Sequence, residues 1–144
     1  MSIQILIGTA MIVLMTIIHV TGLIGLAQIL PRLSDRTRNR FPTLFSGALL
    51  MTSLLWIIAL HTIEIWLWAL TFMMLGEFAD LSTALYFSTV TATTLGYGDL
   101  VLSPDWQLLG SFEAMGGLIL FGASTAFLLA LVVRVFSALD GEND

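Results

Sequence analysis

The chain has 144 residues, 58% of them hydrophobic and 10% charged, with a formal net charge of −5. A water-soluble domain carries about 25% charged residues, so this composition, with a mean hydropathy of +0.98, excludes an ordinary soluble globule and indicates a membrane protein with little mass outside the bilayer. The negative charge argues against nucleic acid as a partner, and the lack of cysteine removes disulfides and thiolate metal sites.

No charged side chain occurs from Ser2 to Leu30. The run exceeds the about 20 residues that cross a hydrocarbon core, so residues 1–30 are predicted to form a transmembrane helix. A cleaved leader would want a basic start, a shorter apolar run and a small-residue cleavage site, none of which is evident. His19 is a lone histidine within this span; an interhelical hydrogen bond and a pH sensor are its two readings. Gly22 and Gly25, near Thr21, could admit a close helix neighbour or simply be ordinary membrane-helix glycines.

Pro31 is expected to end the first helix. Residues 31–42 then read as a basic loop, with Arg32, Arg36, Arg38 and Arg40 opposed only by Asp35. The positive-inside rule places this loop in the cytoplasm and the amino terminus outside. The arginines suit the anionic head groups of membrane lipids. The first span itself has no arginine, so voltage sensing by an arginine-bearing helix is not expected.

A second span is predicted from Thr43 to about Leu67, with Trp66 and Trp68 in an outer aromatic belt. His61 and Glu64 share a helix face and should hydrogen-bond to each other near the outer interface. A metal site needs more ligands than these two. From Ala69 to Ala79 the chain is apolar but interrupted by Gly76 and Glu77. Asp80 is a suitable N-cap for a short helix over roughly residues 81–93. At about 1.5 Å rise per residue that helix cannot cross a bilayer. A re-entrant segment fits it, its carboxyl end aimed at the membrane centre, where the helix dipole favours a cation.

Next comes Thr93-Thr94-Leu95-Gly96-Tyr97-Gly98-Asp99. A dehydrated cation needs a cage of oxygens, and backbone carbonyls supply one when successive C=O groups point the same way. Alternating backbone handedness does this, and glycines at Gly96 and Gly98 permit it at little steric cost. Thr94 adds a hydroxyl at the inner end, and the Tyr97 ring can pack outward and tie the segment to its surroundings.

This stretch, preceded by Ala84 to Ala92 and set between hydrophobic spans, resembles the selectivity filter of the potassium channel family, whose consensus runs Thr-Val-Gly-Tyr-Gly-Asp. The resemblance covers about residues 43–136 and implies a pore module of outer helix, pore helix, filter and inner helix. It implies K+ held at Thr94, Leu95, Gly96 and Tyr97, with Gly98 completing the ion-binding filter and Thr93 and Asp99 supporting it. Because one filter strand cannot surround an ion, it also implies a homotetramer about a four-fold axis. Two departures stand out. Leu95 replaces the usual valine, and Val90 occupies the place where some bacterial channels carry a glutamate that hydrogen-bonds the filter aspartate. Asp99 is therefore expected to lack that partner.

The third span is predicted from Trp106 to about Val133, after a short loop from Leu100 to Asp105, with Arg134 at its cytoplasmic end. Residues 137–144 form a short acidic tail. Inner helices of the resembled family bend at a glycine in this zone, which makes Gly116, Gly117 and Gly122 gating candidates; close packing would explain them equally. Glu113, an ionisable residue within the span, is a fourth candidate. At about 100° per residue it faces away from Gly122 and Ala126. It reads as buried behind the filter, protonated or hydrogen-bonded to the pore helix, with a cation-concentrating ring as the other reading.

The expectation is therefore an all-α membrane protein of three transmembrane helices plus a re-entrant pore helix and filter, assembled as a four-fold channel in the cell membrane. Its function would be passive, potassium-selective conduction, with K+ as the permeant ion and no cofactor. A weakly selective cation channel and a non-conducting subunit of a larger transport complex are the alternatives. No nucleophile–base pair or phosphate loop is present in an aqueous setting, so an enzyme is not expected.

Overall fold

A computed structural model describes residues 1–37 and 42–140, with the side chains of residues 31–37, 42–43 and 138–140 excepted. Four helices follow one another: α1 (Ser2–Thr37), α2 (Pro42–Met74), α3 (Leu81–Ala92) and α4 (Gln107–Asp140). There is no strand among the described residues. Three helices contain stretches long and apolar enough to cross a membrane, at Ser2–Leu30, Leu44–Met74 and Gln107–Ser137. They are exposed over most of their apolar surface, as expected where lipid tails or neighbouring chains, rather than water, form the surroundings.

Each long helix outruns its expected limits. Helix α1 continues through Pro31 to Thr37. The proline nitrogen forfeits one bond to the carbonyl of Ala27, a loss that membrane helices tolerate. Helix α2 runs seven residues past Leu67 to Met74, because Ala69, Leu70, Met73 and Met74 are good helix formers and residues 68–74 contain no glycine or proline before Gly76. There the helix stops in a Schellman turn. Gly76, at φ +80, donates its N–H to Met73 O at 3.0 Å, and the Glu77 N–H reaches Phe72 O at 3.0 Å. Helix α4 likewise continues past Val133 to Asp140. The expected loop arginines Arg38 and Arg40 and tail residues 141–144 lie outside the described residues.

Helix α1 packs on α2 and α4, and α3 packs on α2 and α4, so α1 and α3 lie on separate sides of the α2–α4 pair. Helices α1 and α4 run parallel in constant register. Gln4 Oε1 accepts from the Leu108 N–H at 3.1 Å, capping α4, while Gly8 receives the Phe112 ring and Gly116 meets Ile12. The amino terminus thus lies at the end of the bundle where α4 begins. Gly22 takes the Leu60 side chain of α2 against its Cα, whereas Gly25 has nothing within 4 Å. Only the first of those two glycines serves close packing.

An aromatic cluster within the core joins α2 to α3, and Met15, Leu102, Leu109 and Leu120 pack with it. Phe72 of α2 meets Phe87 of α3 edge-on, ring centroids 5.3 Å apart. Trp68 stacks on Phe72 at 5.7 Å and is 3% exposed. Trp68 therefore belongs to the core rather than to an outer aromatic belt, because α2 extends beyond it; Trp66, 46% exposed, stays on the surface.

Candidate functional site: an exposed backbone segment behind a buried polar ring

Helix α3 starts where its sequence dictates. Asp80, extended at φ −127 and ψ 149, accepts the Thr83 N–H at 2.9 Å and the Ser82 hydroxyl at 2.5 Å. These bonds hold its carboxyl down at about 2. The helix ends at Ala92, and its last carbonyls are taken up by the turn that follows. Thr93 Oγ1 donates to Thr89 O at 2.7 Å, the Thr94 N–H to Thr91 O at 2.9 Å, and the Leu95 and Gly96 N–H groups share Val90 O at 3.0 and 3.2 Å.

Beyond that anchor the backbone alternates. Thr94 at φ +60, Gly96 at +52 and Gly98 at +76 are left-handed, while Leu95 and Tyr97 between them are not. Strict alternation of hand turns successive carbonyls toward one side. The glycines reach this conformation at no steric cost, but Thr94 holds it at about 1–2 kcal/mol. Thr94 is thus a third left-handed position that residue type alone did not signal. Residues 93–99 are all exposed in the single chain, with Leu95 at 54% and Tyr97 at 67%. Tyr97 makes no hydrogen bond among the described residues.

Asp99 is not without a partner. Its Oδ2 accepts the Tyr86 hydroxyl at 2.6 Å, so the partner that Val90 cannot supply is replaced from another position. Tyr86 lies one helical turn before Val90, on the same face of α3, and its longer reach replaces a side chain at the later position. The bond lowers the Asp99 carboxyl and raises the Tyr86 phenol from their ordinary values. The loop between the alternating segment and α4 is fixed by a second carboxylate. Glu77 accepts the Ser103 N–H and hydroxyl, both at 2.7 Å.

The glycines of α4 divide by surroundings. A Cβ on Gly117 would fall 2.3 Å from Ala92 O and 3.0 Å from Ala92 C, so only glycine lets α4 approach the end of α3. Gly116 lies 3.3 Å from Ile12 Cγ1 by the same measure, and Gly122 faces open space. Glu113 is fully buried, on the face opposite exposed Gly122 and Ala126. Glu113 lies beside Ser88 of α3, the pore-helix neighbour expected for it, although among the described residues no bond of full hydrogen-bond geometry closes between them.

Near the middle of the bundle, three helices contribute to a closed polar ring. Glu64 accepts from His19 Nδ1 at 2.8 Å through Oε1 and from His61 Nδ1 at 2.9 Å through Oε2. Both Nε2 atoms meet Ser124 Oγ, His19 at 2.9 Å and His61 at 3.1 Å. The His61–Glu64 pairing and an interhelical bond for His19 are the expected ones. Their position is not. The extension of α2 to Met74 puts the pair deep in the bundle instead of near its outer edge. Ser124 gave no signal, since its partners lie 105 and 63 positions away.

The sequence matches the family described as ion channel over residues 58–134, more than half of the 144-residue chain. No curated protein and no solved structure matches the chain. The matched region begins within α2 and takes in α3, the alternating segment and most of α4.

Proposed function

We infer that this chain, which belongs to the ion channel family and carries three helices fit to cross a membrane, conducts K+ passively and selectively through a filter formed by Thr94, Leu95, Gly96, Tyr97 and Gly98. The observation that carries the reading is the alternation of backbone hand at Thr94, Gly96 and Gly98 in a segment whose residue order is that of a potassium filter. Carbonyls turned to one side replace the hydration shell of a dehydrated ion, and several ions in file repel one another onward.

One strand encloses nothing, so four chains surround the axis in this account. The exposure of residues 93–99 in the isolated chain supports a segment completed by its neighbours. In that assembly α3 is the re-entrant pore helix, tethered to the filter through Val90 O and Thr91 O. Helix α4 is the inner helix, and α1 lies on the far side of α2 and α4 from α3. Gly117 fixes α4 against α3, which leaves Gly122, free of contacts, as the gating hinge of choice. The arginine-rich segment faces the cytoplasm and the amino terminus the outside.

The test is reconstitution of the full chain into liposomes and measurement of K+ and Na+ flux with and without Ba2+. K+ flux well above Na+ flux, blocked by Ba2+, is the expected result. Equal fluxes would make the protein a weakly selective cation pore, and no flux from verified tetramers would make it a non-conducting subunit.

A further inference from the structure

We propose that His19, His61, Glu64 and Ser124 form a divalent transition-metal site of the Zn2+ class inside the helix bundle, clamping α1 and α2 to α4. The inference does not depend on what the filter conducts.

Hydrogen-bond bookkeeping in the ring leads to it. An ionised Glu64 only accepts, so both imidazoles must present Nδ1–H to it. That fixes two tautomers and two ring orientations at once, and leaves both Nε2 lone pairs aimed at one spot. The spot is held by Ser124 Oγ, 2.9 Å from one nitrogen and 3.1 Å from the other. A serine has a single hydrogen to give. One imidazole lone pair therefore faces an oxygen lone pair across a buried contact, with His19 fully buried and Ser124 at 4% exposure. A cation between the two nitrogens removes that repulsion.

A carboxylate that holds the far N–H of an imidazole is the usual orienting partner of a metal-bound histidine, and here one carboxylate holds two. Two imidazole nitrogens suit Zn2+ and its neighbours rather than Ca2+ or Mg2+, which take oxygen ligands. His19, His61 and Glu64 are gathered closely enough for a candidate ligand atom of each to lie within 4.8 Å of the others. With Glu64 on the Nδ1 side of both rings, the protein atoms that face the ion are His19 Nε2, His61 Nε2 and Ser124 Oγ.

Beside the ring is a cavity of about 20 Å³ whose lining includes His61, Glu64 and Glu113, with room for one water. Glu113 lines it with no exposure, a further acidic side chain next to the ring.

The test uses the full chain purified in detergent, stripped with chelator and dialysed against Zn2+. One zinc per chain should bind, and its X-ray absorption should show two imidazole nitrogens at about 2.0 Å. His19→Ala and His61→Ala should each abolish binding, and Glu64→Gln should weaken it by about 10–100-fold. Asp105→Asn, at an exposed carboxylate, should leave it unchanged. The absorption spectrum needs only the parent protein, so a variant that fails to fold does not spoil the test. No saturable zinc, an oxygen-only shell, or zinc retained in His19→Ala would overturn the proposal. A proton as the sole cation of the ring would give the first of these results.

Discussion

The Tyr86 hydroxyl donates to Asp99 Oδ2 across 2.6 Å, joining the second turn of α3 to the far end of the alternating segment. Both residues are partly open to solvent in the single chain. Asp99 is thereby tied to the same helix whose carboxyl end anchors Thr94, Leu95 and Gly96. The segment is held at both ends by α3, and its middle is left to its own backbone conformation.

Tyr86→Phe should therefore weaken the Asp99 end of the proposed filter while leaving α3 intact. We expect K+ flux that decays with time or falls in amplitude, with preference over Na+ partly kept. Acidity should mimic it. The folded protein holds Asp99 below the ordinary carboxylate value of about 4, so the contact is present above that value and is lost as pH falls through the lowered one. Tyr86 is raised above about 10, and the contact is lost again as pH rises through the raised value. A flux–pH profile should be flat between these limits, and in Tyr86→Phe its acid edge should move up toward the ordinary carboxylate value. An acid edge that does not move would dissociate Asp99 from Tyr86.

Gly117 and Gly122 should separate in their response to alanine. At Gly117 the new methyl meets the Ala92 carbonyl, backbone that cannot swing away, and overpacking of this kind costs about 1–3 kcal/mol. At Gly122 nothing is near, and stability should change by no more than about 1 kcal/mol, the helix-propensity difference. Thermal unfolding in detergent measures both. If Gly122 is the hinge, its alanine variant should shift open probability at unchanged ion preference.

Much of this was legible because it is local. The Asp80 cap, the short α3, and the left-handed Gly96 and Gly98 all follow from neighbouring residue types. Thr94 was not legible as left-handed, since nothing in a threonine asks for φ +60; the bonds from Thr94, Leu95 and Gly96 back to α3 impose it. The polar ring was half visible. Helical spacing pairs His61 with Glu64, but His19 and Ser124 arrive from helices 45 and 63 positions away, and only the parallel register of α1 and α4 aligns them. Helix ends were misjudged where a single residue was given too much weight. Pro31 did not stop α1, and the tryptophans near Leu67 did not mark the end of α2.

The bond between Gln4 and Leu108 sets the first turns of α1 and α4 side by side, so the amino terminus lies at the end of the bundle where α4 begins. In the proposed topology, with the arginine-rich segment inside, that end faces out. A cysteine replacing Ser2 should react with an impermeant thiol reagent added to intact cells, and one replacing Phe136 should be protected until the cells are opened. The reverse pattern would invert the orientation.

The central claim, that residues 94–98 are the ion path, is tested most directly at Gly96. Its φ of +52 costs a residue with a β-carbon about 1–2 kcal/mol, and an assembly of four chains incurs that cost in every filter strand. The measurement is K+ and Na+ flux through liposomes bearing Gly96→Ala, beside the parent and with tetramer assembly verified for both. The account predicts loss of K+ flux in an assembled protein. Gly96→Ala that carries K+ as the parent does, with the same preference over Na+, would contradict it.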